Sequence, residues 1–301
     1  MLELRFALEA ACFRLLLLLA RVIPLRVLQW IGAGGGMLFY LLDGRHRRIT
    51  LEQLDTFLGT ELRAAGVSRT ARACWRHFGR ITFDALAFER LSRDSVGRVV
   101  HYAGLEHLRE AYARNRGVLL FSGHFGHWEL TAVMQGHLGY PLALVTQPLD
   151  NPRLERLLAD LRGCSGNRVV HKRAAVREML RALQARIGVA IMIDQDPREG
   201  GVFVPFFDRL AATTPTLALL AARTGAAVLP TFSVPNPDGS YRIVYEPLVE
   251  WEPSGNREED VVRLTARCTA RIEDWVRRHP ELWLWMHRRW KTRPPDEAGL
   301  R

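Results

Sequence analysis

Cysteine is scarce in this chain, and its positions form no pattern. The 301 residues include four cysteines, spaced neither like a disulfide framework nor like a metal-binding knuckle: Cys12, Cys74, Cys164 and Cys268. We therefore expect a reducing compartment and no bound metal. Internal repeats, low-complexity tracts and Gly/Ser-rich linkers are also missing, which argues against repeat architectures and flexibly tethered domains. A chain of this length with 48% hydrophobic residues can build one sizeable domain plus an appended element.

The N-terminal 42 residues lack a clean membrane-spanning run. They are rich in leucine but are interrupted by Arg14, Arg21 and Pro24, whereas a span needs about 20 apolar residues. The longest charge-free stretch, residues 27–42, has 16 residues and contains three consecutive glycines. We therefore predict one or two interfacial helices rather than a full crossing, with helices that simply cover the core as the alternative. The same interruptions disfavour a cleaved secretory signal.

A domain boundary is predicted where this apolar segment ends. Near residue 43 the composition changes abruptly to the basic cluster at residues 45–48. We assign residues 1–44 to membrane-associating helices and residues 45–301 to one globular domain. Basic residues would then lie at the cytoplasmic headgroups, in keeping with the bias of such residues toward that side of a membrane.

Positive charge exceeds negative charge by 42 to 32, which gives a net charge of +10 and a pI near 10.2. This favours an acidic partner such as anionic lipid, a phosphorylated headgroup, an acidic carrier protein or nucleic acid. Basic residues from 277 to 293 alternate with Trp283, Trp285 and Trp290, a pattern typical of membrane interfaces. Single-stranded nucleic-acid binders share it, but no recognition helix, zinc finger or RNP-like strand is visible, so we expect no nucleic-acid partner.

The most informative segment covers residues 118–130. Residues 118–121 form a short apolar run between Gly117 and Gly123, which predicts a buried strand ending in a tight turn. Apolar residues then recur at helical spacing. His124 is thus placed in the turn and Glu129 in the first turns of the helix, at the edge where open α/β sheets usually hold ligands.

An imidazole near neutral pH can take a proton from a hydroxyl, and a carboxylate on its other nitrogen fixes the tautomer. We therefore predict that Glu129 orients His124 as a general base, with no serine or cysteine nucleophile. The structural alternative is that His124 caps the helix and Glu129 is a solvated acid favoured by the helix dipole. Zinc binding by His124, His127 and Glu129 is a further alternative, although the spacing differs from the helical His-Glu-x-x-His motif and no third nitrogen or sulfur ligand is evident.

The sequence Gly-His-Phe-Gly-His-Trp-Glu at residues 123–129 resembles the His-x4-Asp/Glu motif of glycerolipid acyltransferases, and more narrowly the bacterial lipid A lauroyl/myristoyl acyltransferases. Further blocks occur in the order expected for that family, at residues 192–196, 202–207, 212–215 and 285–294. The resemblance covers most of the chain from about Arg45 onward. It implies that His124 and Glu129 catalyse direct acyl transfer from a thioester to a hydroxyl of a lipid A precursor, without a covalent acyl-enzyme or a cofactor.

The resemblance also implies the partners and the location. We expect an acyl carrier protein or acyl-coenzyme A as donor, an anionic lipid as acceptor, and a site on the cytoplasmic face of the bacterial inner membrane. A lysophospholipid or other glycolipid acyltransferase that uses acyl-coenzyme A is the alternative. Charge does not separate the donors, because both are anionic.

Further candidate residues follow later strands. Asp194 and Asp196 stand at the exit of a buried strand, where they are predicted to line the site, although pairing with Arg198 or capping a turn explains them equally well. Three aromatic rings are predicted to wall an acyl channel, or to be ordinary core: Phe203, Phe206 and Phe207. Four basic residues near the C-terminus are predicted to bind phosphate groups, or to form a solvated basic tail: Arg288, Arg289, Lys291 and Arg293.

The order of elements indicates an α/β fold with a mixed central sheet flanked by helices, preceded by apolar helices. Residues 48–93 read as a charged helical segment, residues 118–231 as alternating strands and helices, and residues 241–245 as the second strand of a hairpin-like edge. A long helix is then expected to end near His279 and Pro280, because proline cannot continue it.

Overall fold

A seven-stranded sheet forms the centre of the protein. The computed structural model describes residues 2–171 and 175–295. Within them the strands are β1 Val100–Ala103, β2 Val118–Ser122, β3 Leu142–Thr146, β4 Arg168–His171, β5 Gly188–Met192, β6 Val202–Phe206, β7 Arg209–Thr213, β8 Ala227–Pro235 and β9 Tyr241–Tyr245. The helices are α1 Leu2–Ala20, α2 Leu25–Leu42, α3 Gly44–Ala85, α4 Leu105–Ala113, α5 Trp128–His137, α6 Pro152–Gly163, α7 Ala175–Gln184, α8 Thr216–Thr224 and α9 Arg257–Arg278.

The sheet has the strand order β1-β9-β8-β2-β5-β3-β4, and β6 pairs with β7 in a separate hairpin. All neighbours in the large sheet are parallel except β8 and β9. The predicted mixed α/β fold is therefore confirmed. The β8–β9 hairpin, however, does not form the edge of the sheet, because β1 pairs in parallel with β9 outside it. The four residues of β1 are too few to give a clear sequence signal.

Both faces of the sheet are covered, which explains why β2 is buried at every position. Leu120 packs with Leu142, Leu130 and their neighbours on the face covered by α5 and α6. Leu119 and Phe121 pack on the opposite face, with side chains of α7, α8 and α9. Because successive side chains of a strand alternate between faces, the two faces can serve different purposes at the carboxyl end of β2.

Helix α2 lies close against α3 at three glycines. An added Cβ at Gly32 would lie 2.5 Å from the carbonyl oxygen of Gly79, and one at Gly36 would lie 2.1 Å from that of Trp75. Only glycine allows the two backbones to approach this closely. The three consecutive glycines at 34–36 lie within the continuous helix α2.

The opposite side of the N-terminal helices carries exposed apolar side chains. Trp30, Phe39 and Leu42 are 75%, 63% and 72% exposed. Within the described part of the chain, Leu25–Leu42 is the one helix whose length and mean hydropathy of 1.2 would allow it to cross a membrane, and 28% of it is buried in the protein.

Candidate functional site

The site lies at the carboxyl ends of β2 and β5, which are adjacent and parallel with Ser122 beside Met192. His124 follows β2 by two residues and Asp194 follows β5 by two residues, so the two side chains meet above the sheet. Nδ1 of His124 lies 2.8 Å from Oδ1 of Asp194, and the His124 backbone N–H donates to Oδ2 at 2.6 Å. The indole of Trp283 donates a third hydrogen bond to Asp194, at 2.8 Å. The carboxylate is therefore held from three directions.

Glycine makes this approach possible. A Cβ at Gly123 would lie 2.8 Å from Oδ2 of Asp194 and 3.0 Å from Ile272. At Gly126 the backbone adopts a φ of +59°, and a Cβ there would lie 1.8 Å from the carbonyl oxygen of Ser233. The glycines of the motif thus shape the turn that carries His124.

The predicted partnership between His124 and Glu129 is not what the structure shows. Glu129 lies in the first turn of α5 and faces α6, where Nε and Nη2 of Arg162 donate to its carboxylate at 2.6–3.1 Å. Asp194, not Glu129, is hydrogen-bonded to Nδ1 of His124. The physical reason is that the end of β5 lies directly beside the turn, whereas the direction of α5 carries Glu129 toward the next helix.

The electrostatics suit a base with a permanently charged partner. Burial alone would lower the pKa of His124, but the charge and hydrogen bond of Asp194, together with the charge of Glu129, hold this pKa above its ordinary value. Burial likewise opposes ionisation of Asp194, yet His124 and the Trp283 indole lower the pKa of this carboxyl to about 2. Asp194 is therefore ionised at neutral pH, and the proton between the two groups belongs to His124.

The remaining ring nitrogen of His124 makes no hydrogen bond to the described residues. With Nδ1–H committed to Asp194, the neutral imidazole has its lone pair on Nε2. The side chain is 21% exposed and its ring lies edge-on to Trp128, with 5.2 Å between centroids. Nε2 is thus available to accept a proton from a bound molecule.

A cavity of about 590 Å³ opens beside His124. On the α5–α6 face it is lined by apolar side chains that include Leu120, Ala132, Leu142, Leu144 and Leu158. Charged groups also line it, namely Glu129, Glu155, Arg162 and Asp196. The volume is that of a site for a small molecule or a chain. The arrangement can hold an apolar group next to a base and a cation.

Asp196 contributes to the wall of the cavity, as predicted for its position. Its carboxylate accepts hydrogen bonds from the backbone N–H and hydroxyl of Thr292 and from the backbone N–H of Arg198. These bonds connect the end of β5 to the C-terminal segment. They hold the C-terminal segment with Trp283, Trp285 and Trp290 next to the site, but the basic residues of that segment do not line the cavity.

His127 has a structural position that the zinc alternative did not foresee. Its ring is buried between Phe88 and Tyr241, and its Nδ1 accepts from the backbone N–H of Leu130 at the start of α5. Burial lowers its pKa well below the ordinary value, so the ring is neutral. No group of three or more His, Cys, Asp or Glu side chains within residues 2–171 and 175–295 is placed to hold a metal ion.

The aromatic residues proposed for an acyl channel lie elsewhere. Phe206 and Phe207 are 1% and 4% exposed and pack against Trp283, Trp285 and Trp290. Phe203 is half-buried in the β6–β7 hairpin. None of the three lines the cavity, so the channel prediction was wrong for these residues. An apolar run in a sequence does not reveal whether it faces a core or a void.

The basic residues near the C-terminus also lie outside the cavity lining. Arg289 is fully buried and donates to the carbonyl oxygen of Ala212 and to the hydroxyl of Thr213, so its predicted phosphate contact is wrong. Arg288 and Lys291 are exposed, and Arg293 donates to the carbonyl oxygen of Leu210. Phosphate binding by these three remains a prediction.

Two residues of the site were missed in the sequence. Arg162 lies 33 positions after its partner and sits on a different helix, and Trp283 reaches Asp194 from the C-terminal segment. Nothing in their local spacing indicates these contacts. The position of Asp194 at the end of a buried strand was the available signal for the true partner of His124.

An imidazole–carboxylate pair at the ends of parallel strands, beside an apolar cavity, is an arrangement suited to general-base chemistry on a ligand with an apolar part. Residues 5–292 match the family model described as bacterial lipid A biosynthesis acyltransferase. The chain therefore belongs to that family, and the resemblance noted in the sequence is confirmed.

Individual relatives agree with this assignment. The chain is 34% identical over 200 residues to an Escherichia coli lipid A biosynthesis palmitoleoyltransferase and 33% identical over 204 residues to an E. coli lipid A biosynthesis lauroyltransferase. These alignments cover 65% and 66% of this chain but only 63% and 64% of the relatives. A Haemophilus influenzae lipid A biosynthesis acyltransferase is 28% identical, over 92% of this chain and 88% of the relative.

Among solved structures, the chain is similar to the 1-acyl-sn-glycerophosphate acyltransferase PlsC from Thermotoga maritima. The sequence identity is 13% and the TM-score is 0.35, with 84% of this chain and 99% of that chain covered.

Proposed function

We propose that the protein transfers a fatty acyl chain from a thioester to a hydroxyl group of a lipid A precursor or a related glycolipid. The observation that carries this proposal is the His124–Asp194 pair, whose free Nε2 faces a largely apolar cavity. Family membership supports the acyltransferase class. Related mycobacterial enzymes named phosphatidylinositol mannoside acyltransferases support glycolipids as the wider group of acceptors.

The proposed reaction needs no covalent enzyme intermediate. Nε2 of His124 removes the proton of the acceptor hydroxyl as its oxygen attacks the thioester carbonyl. Asp194 stabilises the imidazolium that forms. The C–S bond then breaks, the imidazolium returns the proton to the departing thiolate, and the products are an ester and a free thiol.

Arg162 is the proposed source of positive charge at the reacting carbonyl. It is the arginine among the described lining residues of the cavity, and Glu129 engages its Nε and Nη2 and leaves Nη1 free of that pair. A donor aimed at the developing oxyanion typically contributes about 10²- to 10³-fold to the rate. In this proposal Glu129 acts by holding Arg162 and by raising the pKa of His124 from a distance.

The donor proposed is an acyl carrier protein, with acyl-coenzyme A as the alternative. The net charge of +10 favours either anionic carrier. Each methylene buried in the cavity stabilises the bound chain by about 0.8 kcal/mol, so the cavity can supply much of the affinity for the acyl group. The cytoplasmic face of the bacterial inner membrane is the proposed location, with residues 1–44 as the membrane-associating part.

A single assay tests the reaction. Purified protein is incubated with acyl carrier protein thioesters or coenzyme A thioesters and a panel of lipid A precursors, lysophospholipids and glycolipids, and products are identified by mass. We expect one added acyl ester on a lipid A precursor or glycolipid. Acylation of lysophospholipids alone would contradict the proposed acceptor, and thioester hydrolysis without any lipid product would contradict the transferase reaction.

Membrane association is tested separately by replacing Trp30 and Phe39 together with serine. Both side chains lie on the exposed side of α2, so their burial in lipid would be lost, and we expect at least about tenfold weaker binding to anionic phospholipid vesicles. Cosedimentation measures the binding. A serine at Val262, which is 40% exposed on α9, is the control and should bind normally. Equal binding by all variants would show that α2 is not the contact.

A further inference from the structure

Three polar groups without partners lie in the wall of the apolar cavity. Ser122, Thr231 and Gln135 are 5%, 4% and 0% exposed, and all three line the cavity. Ser122 Oγ, Thr231 Oγ1 and Gln135 Nε2 make no hydrogen bond to any described residue. Burial of such atoms without partners disfavours folding, so their presence together calls for a ligand that pairs with them.

The three groups lie on one face of the sheet. Phe121 is in register with Pro230 in the parallel β2–β8 pair, so Ser122 and Thr231 are neighbours, one residue further along each strand. Both share the face of Leu120, which α5 covers. Gln135 comes from α5 itself. Its Oε1 accepts from the Tyr245 hydroxyl at 3.1 Å, which fixes the amide and leaves Nε2 as a donor.

Two hydroxyls close to His127 at the same cavity are paired. Ser233 Oγ accepts from the backbone N–H of His127 at 2.8 Å, and Thr131 Oγ1 donates to the His127 carbonyl oxygen at 3.1 Å. Two further lining atoms without partners among the described residues, Thr146 Oγ1 and Glu155 Oε1, belong to the end of β3 and to α6, and β5 separates β3 from β2. Ser122, Thr231 and Gln135 are therefore the unpaired lining groups on β2, β8 and α5. The phenol of Tyr112 interacts with the Gln135 side chain, and its hydroxyl likewise has no partner within hydrogen-bonding distance among the described residues.

The chemistry of the group that would pair with them follows from their types. Two hydroxyls and an amide N–H are neutral and offer both donors and acceptors, so they fit a neutral hydroxyl better than a phosphate or a carboxylate. The surrounding lining is aliphatic, including Leu120, Leu142 and Leu144. A hydroxyl carried on a hydrocarbon chain satisfies both features.

Ser122, Thr231 and Gln135 together form a polar layer in the cavity wall. The depth of this layer below His124 gives the position of the hydroxyl along the acyl chain. Ser122 precedes His124 by two residues, and a strand rises about 3.3 Å per residue, so the layer lies only a few ångströms below the reacting carbonyl. We propose that the donor is a 3-hydroxyacyl thioester whose hydroxyl binds to Ser122, Thr231 and Gln135. This inference rests on the proposed acyl transfer and names the class of acyl chain that it uses.

The test compares matched donors in the full-length protein. Thioesters of equal chain length with a hydroxyl at carbon 3, a hydroxyl at carbon 2, or none are offered with the same lipid acceptor, and kcat/KM is measured for each. We expect the 3-hydroxyacyl chain to be preferred over the unsubstituted chain by about tenfold or more, because the latter leaves buried polar groups unpaired.

Variants of similar side-chain size test whether the preference for the 3-hydroxyacyl chain depends on the polar layer. Thr231→Val and Ser122→Ala should each lower it at least about threefold, and the double variant should abolish it. Their Tm should not fall, because each change removes an unpaired buried hydroxyl. Thr131→Val, which removes a paired hydroxyl of the same cavity, should keep the wild-type preference.

The outcomes separate this inference from the reaction itself. Transfer of unsubstituted and hydroxylated chains at equal rates would overturn the inference and leave the acyltransferase proposal standing, as expected if ordered water fills the layer. A preference that persists in the Thr231→Val/Ser122→Ala double variant would also overturn it. Absence of transfer from every thioester would instead contradict the proposed function.

Discussion

Replacing Asp194 with asparagine is expected to lower kcat/KM by about 10³- to 10⁴-fold, the scale found when the orienting carboxylate of a catalytic histidine is neutralised. Asparagine at this position can donate from its amide to Nδ1 of His124. The ring would then carry its proton on Nε2 and be unable to accept another. The change removes no packing volume, so folding should be retained, as circular dichroism and Tm would show.

The pH profile gives this prediction a sharper form. Since the active form of His124 is neutral, kcat/KM of the wild type should rise with pH through the raised pKa of that residue and level off above it. In the Asp194→Asn variant the attraction of the carboxylate is lost and burial lowers the pKa. The acidic limb of the profile should therefore move to lower pH while the plateau falls.

Glu129→Gln is the matched comparison, because it also neutralises a carboxylate that lines the cavity. The variant should lose its ion pair with Arg162, and its acidic limb should move down less than that of Asp194→Asn, because Asp194 has the stronger influence on the pKa of His124. A larger movement in Glu129→Gln than in Asp194→Asn would return the orienting role to Glu129.

Replacing His124 with alanine is expected to lower turnover by about 10²- to 10⁴-fold, the contribution of a positioned proton-transfer group. The side chain lines the cavity and contacts Asp194 and Trp128, so its removal enlarges a space that already exists rather than opening a core. The measurement is acyl transfer at saturating donor and acceptor, with product ester quantified by mass.

His137→Ala serves as the control for loss of an imidazole. His137 belongs to α5, several residues of which line the cavity, but His137 itself does not line it. It should retain most of the activity. Near-normal transfer by a folded His124→Ala variant would remove the base from the proposed mechanism. In the His124→Ala variant the Asp194 carboxylate is buried without the imidazole beside it, so the pKa of Asp194 should rise.

The sequence predicted one half of the central pair better than the other. The apolar run before Gly123 located His124 at a strand end because that signal is local. Its carboxylate partner lies 70 positions away on β5, and the contact depends on β5 lying next to β2 in the sheet. Strand order of this kind is set by tertiary packing, so sequence spacing favoured the nearer Glu129.

The positions of the aromatic and basic residues also depend on contacts that are distant in sequence. The segment containing Phe206 and Phe207 was recognised as apolar, but the choice between core and cavity wall depends on the Trp cluster that packs on it from the C-terminal segment. Arg289 belongs to a basic stretch of the sequence, yet its partners Ala212 and Thr213 lie in β7, the second strand of the β6–β7 hairpin. In both cases the deciding contacts are distant in sequence.

The close glycine contact between α2 and α3 constrains more than packing. Rotating α2 about its axis would drive a side chain into the backbone of α3, since Gly32 and Gly36 are the positions that leave room. The azimuth of the exposed Trp30 face is thereby fixed relative to the rest of the chain. Any surface that takes up this face also determines the direction in which the opening beside His124 points.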